Sequence, residues 1–117
     1  MNNKTLLFKS DKIGEGDLGN IVSVGFIGAL LQVPEKLLPK KIVLLNRGVL
    51  LSTENTELDN KDIIANLKKL QDLGVEILSC RTCLEHFGLI EKVLVGKISN
   101  AVAVLEDLLG NDGVISL

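Results

Sequence analysis

The chain owns two cysteines, Cys80 and Cys83, at C-x-x-C spacing, and their thiols are its most reactive groups. A thiolate is a nucleophile and a soft metal ligand. Such a pair can therefore hold a metal, cycle through a disulfide or carry a group on sulfur. Arg81 lies between the two cysteines, and His86 follows three residues after Cys83. A turn beginning near Thr82 would offer backbone N–H groups. Each of these features favours the anion at Cys80. Cys83 is within reach of Cys80 if the segment joining them is helical, so it can resolve a persulfide or tune its partner.

The surrounding elements must place this pair where a ligand can reach it. Val75, Ile77 and Leu78 form a short apolar run that reads as a buried strand, with Cys80 to Cys83 as the loop at its carboxyl end. Open α/β sheets collect their sites at that end of the strands. Upstream, Thr5-Leu6-Leu7-Phe8 is the first strand. A glycine loop, Gly14-Glu15-Gly16-Asp17-Leu18-Gly19, opens a helix that continues to about Gln32. Leu18, Ile21, Val22, Gly25, Phe26, Ala29 and Leu30 fall on one stripe of that helix. Val24, Ile27, Gly28 and Leu31 make a second stripe beside it. A helix apolar nearly all round in so small a chain implies a face shared with a neighbouring subunit, which the second stripe is expected to supply.

Pro34 and Pro39 bracket a connector to the second strand, Lys41–Leu45. Asn46-Arg47-Gly48 then turns at its carboxyl end, with Gly48 free to take a positive φ. Ser52–Glu57 reads as a mobile loop on the site side of the sheet. Asp59 or Asn60 caps a helix to about Leu73, whose inner face is Ile63, Ile64, Leu67 and Leu70. Leu84–Phe87 makes a single helical turn. Val93-Leu94-Val95 is the fourth strand. Ser99 caps the last helix, with Val102, Leu105, Leu108 and Leu109 inward, and Val114-Ile115-Ser116 closes the sheet. Alternating strands and helices predict an α/β protein, a parallel sheet with helices on both faces.

With 117 residues, 46% of them hydrophobic and only 3% aromatic, the chain is expected to be one domain over residues 1–117 with a core of Leu, Ile and Val. A net charge of −2 leaves no footprint for nucleic acid or an anionic membrane. Ile21–Leu31, its longest apolar stretch, is too short to span a bilayer. Met1-Asn2-Asn3-Lys4-Thr5 lacks the apolar region of a signal peptide, so the expected location is cytoplasmic, where a C-x-x-C pair is chemical rather than a structural staple.

The glycine loop fits G-x-G-x-x-G, yet Glu15 and Asp17 would repel a pyrophosphate. The strand that should end in a ribose-binding acid ends instead in Asn46-Arg47. Asp17 suits the N-cap or first turn of the helix that follows. The cysteine pair itself leaves four readings open. A metal site needs about four ligands, and Cys80, Cys83 and His86 supply three, so no metal is expected within one chain. A thioredoxin-like disulfide site comes early in its chain, and this one comes late. Two inert buried thiols are the third reading. A thiol that carries sulfur as a persulfide is the fourth.

Cys80-Arg81-Thr82-Cys83-Leu84-Glu85-His86-Phe87-Gly88-Leu89, after Gly74-Val75-Glu76-Ile77-Leu78-Ser79, resembles the DsrE/DsrF-like sulfur-relay superfamily, and within it the YedF branch, sulfurtransferase-like proteins linked to selenium metabolism. Gly16–Gly19, Leu45–Val49 and Val95–Asn100 fit the same branch. The resemblance implies a three-layer α/β/α sandwich with a five-stranded, mostly parallel sheet. It implies trimers or hexamers, homomeric or with related subunits, that pass persulfide sulfur between donor and acceptor proteins; a homo-oligomer without a cofactor is expected here. The family's relay cysteine falls on Cys80. Asn46, Arg47, Gly14, Gly16 and Asp17 follow strand ends and are expected on the same rim as Arg81, Thr82 and His86. YedF-type proteins usually carry a further domain upstream, and only Met1–Lys4 precede the first strand here. The rival expectation is a non-catalytic assembly, regulatory or redox-sensing subunit of the same fold.

Overall fold

The computed structural model describes residues 1–117. Five strands form one parallel sheet: β1 (Asn2–Phe8), β2 (Pro39–Leu44), β3 (Glu76–Cys80), β4 (Lys97–Ser99) and β5 (Gly113–Ser116), in the order β4-β3-β2-β1-β5. All carboxyl ends therefore share one edge. Alternation along the strands divides the core. Phe8, Ile42, Leu44 and Ile77 face α1 (Gly16–Leu30) and α2 (Lys61–Asp72) and pack with Ile27, Ile63, Leu67 and Leu70. Val43 and Leu78 face the other way and meet Val104 of α4 (Ala101–Gly110). A fourth helix, α3 (Arg81–Phe87), follows β3 directly and buries Leu84. This is the expected α/β/α sandwich.

Several local expectations are corrected. In α1 the buried residues are Gly19, Ser23 and Ile27, with Ile27 fully enclosed, while Leu18, Ile21, Val24 and Phe26 are exposed. Ile27 thus belongs to this chain's own core, and the outward stripe runs through Leu18, Ile21 and Phe26. Ser23 tolerates burial because its Oγ donates to the Asp11 carbonyl at 2.7 Å. A glutamate at position 27 would sit unpaired in the core. Ile27→Glu is expected to cost about 3–5 kcal/mol within the folded chain itself, whereas Ile21→Glu leaves that core intact and should cost clearly less in urea denaturation at dilutions where the chains are dissociated. Equal losses in both variants would contradict the assigned faces.

The last helix is capped by Asn100, whose Oδ1 accepts from the Ala103 N–H at 2.9 Å, and not by Ser99, which ends β4. Val104 points inward, while Val102, Leu105 and Leu109 face out, Leu109 with 83% of its surface exposed. Only Leu108 of the expected inner set packs against that part of the core. Val93-Leu94-Val95 is not the fourth strand. Val93 makes an isolated antiparallel bridge to Thr53, and the sheet resumes only after Gly96, at φ 79°, turns the chain into β4. The turn packs so closely that a Cβ on Gly96 would lie 2.4 Å from the Ile77 carbonyl oxygen. Three apolar residues in a row here lead into a bend without pairing in the sheet, which a residue pattern cannot distinguish from a strand.

Ser52–Glu57 is tied down rather than loose. Ser52 and Thr53 are buried. Thr53 Oγ1 donates to the Val49 carbonyl at 2.9 Å, and Ser52 Oγ lies 2.7 Å from Ser79 Oγ of β3. Asn60 occupies the N-cap position of α2 but does not cap it. Its Nδ2 instead donates to the Leu50 and Thr53 carbonyls, at 2.8 and 2.7 Å, pinning this segment to the body of the protein.

Candidate functional site at the carboxyl edge of the sheet

β3 ends in Cys80, and α3 begins at the next residue, so Cys80 is the N-cap of a two-turn helix and Cys83 lies inside it. The expected Cys80–Cys83 loop is therefore absent. The helix instead brings residues i and i+3 onto one side, as the proximity of the two thiols requires. Both thiols are free and half-buried. Gly88, at φ 70°, ends α3 in a left-handed conformation that glycine adopts without strain.

The β2 end supplies the second wall. A 3-10 helix, Asn46–Leu51, follows β2, and its Val49, Leu50 and Leu51 are fully buried. Asn46, not Gly48, takes the positive φ, at 52°. Asparagine is among the few non-glycine residues that adopt this region readily. The backbone N–H of Asn46 donates to Cys83 Sγ at 3.0 Å. Asn46 Oδ1 in turn accepts from the Arg47 N–H at 2.8 Å, which stabilises the turn. Gly48 is needed for a different reason: a Cβ there would lie 2.4 Å from the Phe8 carbonyl oxygen.

Asn46, Thr82, Cys83, His86 and Phe87 line an open pocket of about 310 Å³ beside the thiol. The His86 and Phe87 rings meet edge to face, centroids 5.1 Å apart. Thr82 and His86 are exposed, so the pocket mouth is wet. Cys80 is not part of the lining.

Burial pushes the Cys83 thiol above its ordinary pKa, and the neighbouring Cys80 thiol adds to the shift. The Asn46 N–H opposes it without reversing it. The fold thus holds the proton on Cys83 more tightly than the unfolded chain does. That contribution to stability is fully present below the ordinary thiol pKa of about 8.5, and it is lost as pH rises through the higher folded value. Stability of the reduced protein should therefore fall as pH rises above about 8.5. Cys83→Ser should flatten that part of the profile in urea titrations at stepped pH. An unchanged slope in the variant would remove Cys83 as the cause.

The remaining expected rim residues divide. Arg47 does not turn to the cysteines. Its Nε donates to Asp11 Oδ1 at 3.0 Å, and Asp11 is only 2% exposed, so the pair joins the β2 end to the segment after β1. The carboxylate raises the Arg47 pKa further. Arg81 is exposed and forms no ion pair. Gly14 and Gly16 take positive φ values, and Asp17 lies in the first turn of α1. All three are exposed after β1, and none lines the pocket. No three His, Cys, Asp or Glu side chains converge as metal ligands. Sequence reasoning missed Phe87 as a pocket wall and Asp11 as the anchor of Arg47. Asp11 sits in a run, Lys9-Ser10-Asp11-Lys12, that reads as solvated, and nothing in it signals burial.

Fold and site together define a parallel α/β protein with free thiols at the carboxyl edge of its sheet. The chain belongs to the DsrE/DsrF-like family, whose model matches residues 27–117. Among solved structures, the YchN protein from E. coli superposes with a TM-score of 0.72 at 17% identity, over 100% of both chains, so the two share a fold. No curated protein matches the sequence. Membership of the family points to a role in sulfur relay. No helix is long and apolar enough to cross a membrane.

Proposed function

We propose that the protein is a persulfide carrier of the sulfurtransferase type, acting as a single domain in a cytoplasmic relay, with Cys80 accepting sulfane sulfur from a donor protein. The observation that carries this reading is the pair of free thiols at the strand–helix junction, with Cys83 biased toward its protonated form. A carrier needs one thiolate and benefits from one nearby proton donor. Cys83, kept protonated, is that donor for the step after loading, so entry of sulfur falls to Cys80. Cys80 occupies the N-cap position of α3, at the carboxyl end of β3, and its thiol is half-buried and free. The transfer moves sulfur, not electrons. Cys80 thiolate attacks the outer sulfur of a donor persulfide, that sulfur bonds to Cys80, and the donor leaves as a thiolate.

Incubation with a persulfide donor, followed by alkylation and mass spectrometry, tests this reading. The expected result is one added sulfur on the wild-type chain. An adduct that survives in Cys80→Ser and disappears in Cys83→Ser would reverse the assignment. The residues around Cys80–Leu89 also support the YedF-branch placement and its link to selenium, which a selenium-bearing donor in the same assay would test.

The acting form is proposed to be a homo-oligomer. The exposed Leu18, Ile21 and Phe26 side chains of α1 support this, since so contiguous an apolar stripe is costly to leave in water. Ile21→Glu should lower the mass measured by light scattering. A wild-type chain that already runs as a monomer would refute the stripe's role.

A further inference from the structure

Cys80 and Cys83 differ in what surrounds each sulfur. Cys83 lines the open pocket with Asn46, Thr82, His86 and Phe87, and Cys80 does not. Cys83 Sγ also receives the Asn46 N–H at 3.0 Å, and no comparable bond reaches Cys80. That donor is rigid. Asn46 is the only non-glycine residue of the chain with positive φ, its side chain locks the turn through the Arg47 N–H, and Arg47 is fixed to the buried Asp11. Burial disfavours a thiolate at Cys83, and a preorganised N–H aimed at that sulfur offsets part of this cost in any step in which the sulfur gains negative charge. For a carrier, that step is departure: the acceptor takes the outer sulfur, and the carrying cysteine is left as a thiolate.

We infer that sulfur enters at Cys80 and leaves from Cys83, the outer sulfur hopping between the two thiols within one chain. This inference rests on the persulfide-carrier reading and adds an order to it. In the hop, the Cys83 proton passes to the outer sulfur of the Cys80 perthiolate. Cys83 Sγ bonds to that sulfur, the bond between Cys80 Sγ and the outer sulfur breaks, and its electron pair stays on Cys80 as a thiolate. Nothing is oxidised or reduced overall, and no disulfide forms. The proton that burial keeps on Cys83 before loading is the one the hop consumes. An acceptor thiolate entering the pocket then attacks the sulfur on Cys83, which leaves toward the Asn46 N–H. The pocket's size and its aromatic and hydroxyl walls suit a single thiol side chain or a small thiol.

The sequence makes the test direct. Arg81 separates the cysteines, so trypsin after alkylation places Cys80 on Leu70–Arg81 and Cys83 on Thr82–Lys92. The full-length protein is loaded with a limiting persulfide donor, quenched with alkylating agent over a time course, and then chased with glutathione. The added sulfur should appear first on Leu70–Arg81 and then on Thr82–Lys92, and the glutathione chase should drain the second peptide. Cys83→Ser should keep its added sulfur on Leu70–Arg81 and release it to glutathione at least about tenfold more slowly. Sulfur that stays on Leu70–Arg81 in the wild type, with release unchanged in Cys83→Ser, would overturn the hop while leaving the carrier reading intact. First appearance on Thr82–Lys92, or a Cys80–Cys83 disulfide with free sulfide, would overturn it too. Sulfur on neither peptide would overturn both readings at once.

Discussion

Cys80→Ser should fold normally and lose persulfide loading to background, a fall of more than about 10³-fold. The size follows from the chemistry. A serine hydroxyl at neutral pH is not a nucleophile toward sulfane sulfur, and the next sulfur in the chain, Cys83, is held protonated by its half-buried setting. The fold should survive because Cys80 is only half-buried, makes no side-chain capping bond and is replaced by a residue favoured at N-caps. Two readouts separate function from folding. Urea denaturation should place Cys80→Ser within about 1 kcal/mol of wild type, and alkylation mass spectrometry should find no added sulfur on Leu70–Arg81. Loading at the wild-type rate in a folded Cys80→Ser protein would end the assignment of Cys80 as the entry point.

Gly48→Ala should lower stability by about 2–3 kcal/mol, a fall in Tm on the order of 10 °C. The new methyl would lie 2.4 Å from the Phe8 carbonyl oxygen. That oxygen cannot simply swing away, because it accepts the Leu45 N–H at 2.9 Å and belongs to a residue buried in the core. Relief must come from the β2 end itself, which carries Asn46 two residues earlier. The same variant should therefore disturb the hydrogen bond from Asn46 to Cys83 Sγ, and because that bond opposes the upward shift of the Cys83 pKa, its loss should deepen the alkaline fall in stability. Gly25→Ala is the control. Its Cβ meets nothing within 4 Å on the exposed side of α1, so it should be neutral or stabilise by about 0.5–1 kcal/mol. If Gly48→Ala melts with the wild type, the close approach of β2 to β1 has been misread.

The α/β class was legible because its signals are short-range and repeated: apolar runs, glycine stops and alternation along the chain. The cysteine pair was legible because chemistry and spacing coincided at a strand end. What stayed hidden depended on tertiary packing. Gly48 and Asn46 exchanged their expected roles because a glycine is demanded equally by dihedral freedom and by a close neighbour, and only the fold shows which applies. Ile27 and Ile21 are chemically alike, and the inner face of α1 is chosen by Gly19 and Ser23, small residues that let the helix approach the segment after β1. The apolar outer faces of α1 and α4 misled for the same reason, since hydrophobicity marks burial without naming what does the burying. Asp11 could not be seen as a buried anchor without Arg47 beside it.

β1 lies between β2 and β5, so a strand from the beginning of this stretch is completed on one side by its last residues. During synthesis, that flank of β1 has no mate until residue 113 and beyond have left the ribosome. Until then the nascent chain displays an open row of N–H and C=O groups beside Leu6 and Phe8, a template on which another unfinished copy can add a strand. Aggregation during expression should thus be governed by whether this closing segment is present and fast to dock, and shortened forms ending before Gly113 should accumulate in inclusion bodies even though they retain both cysteines.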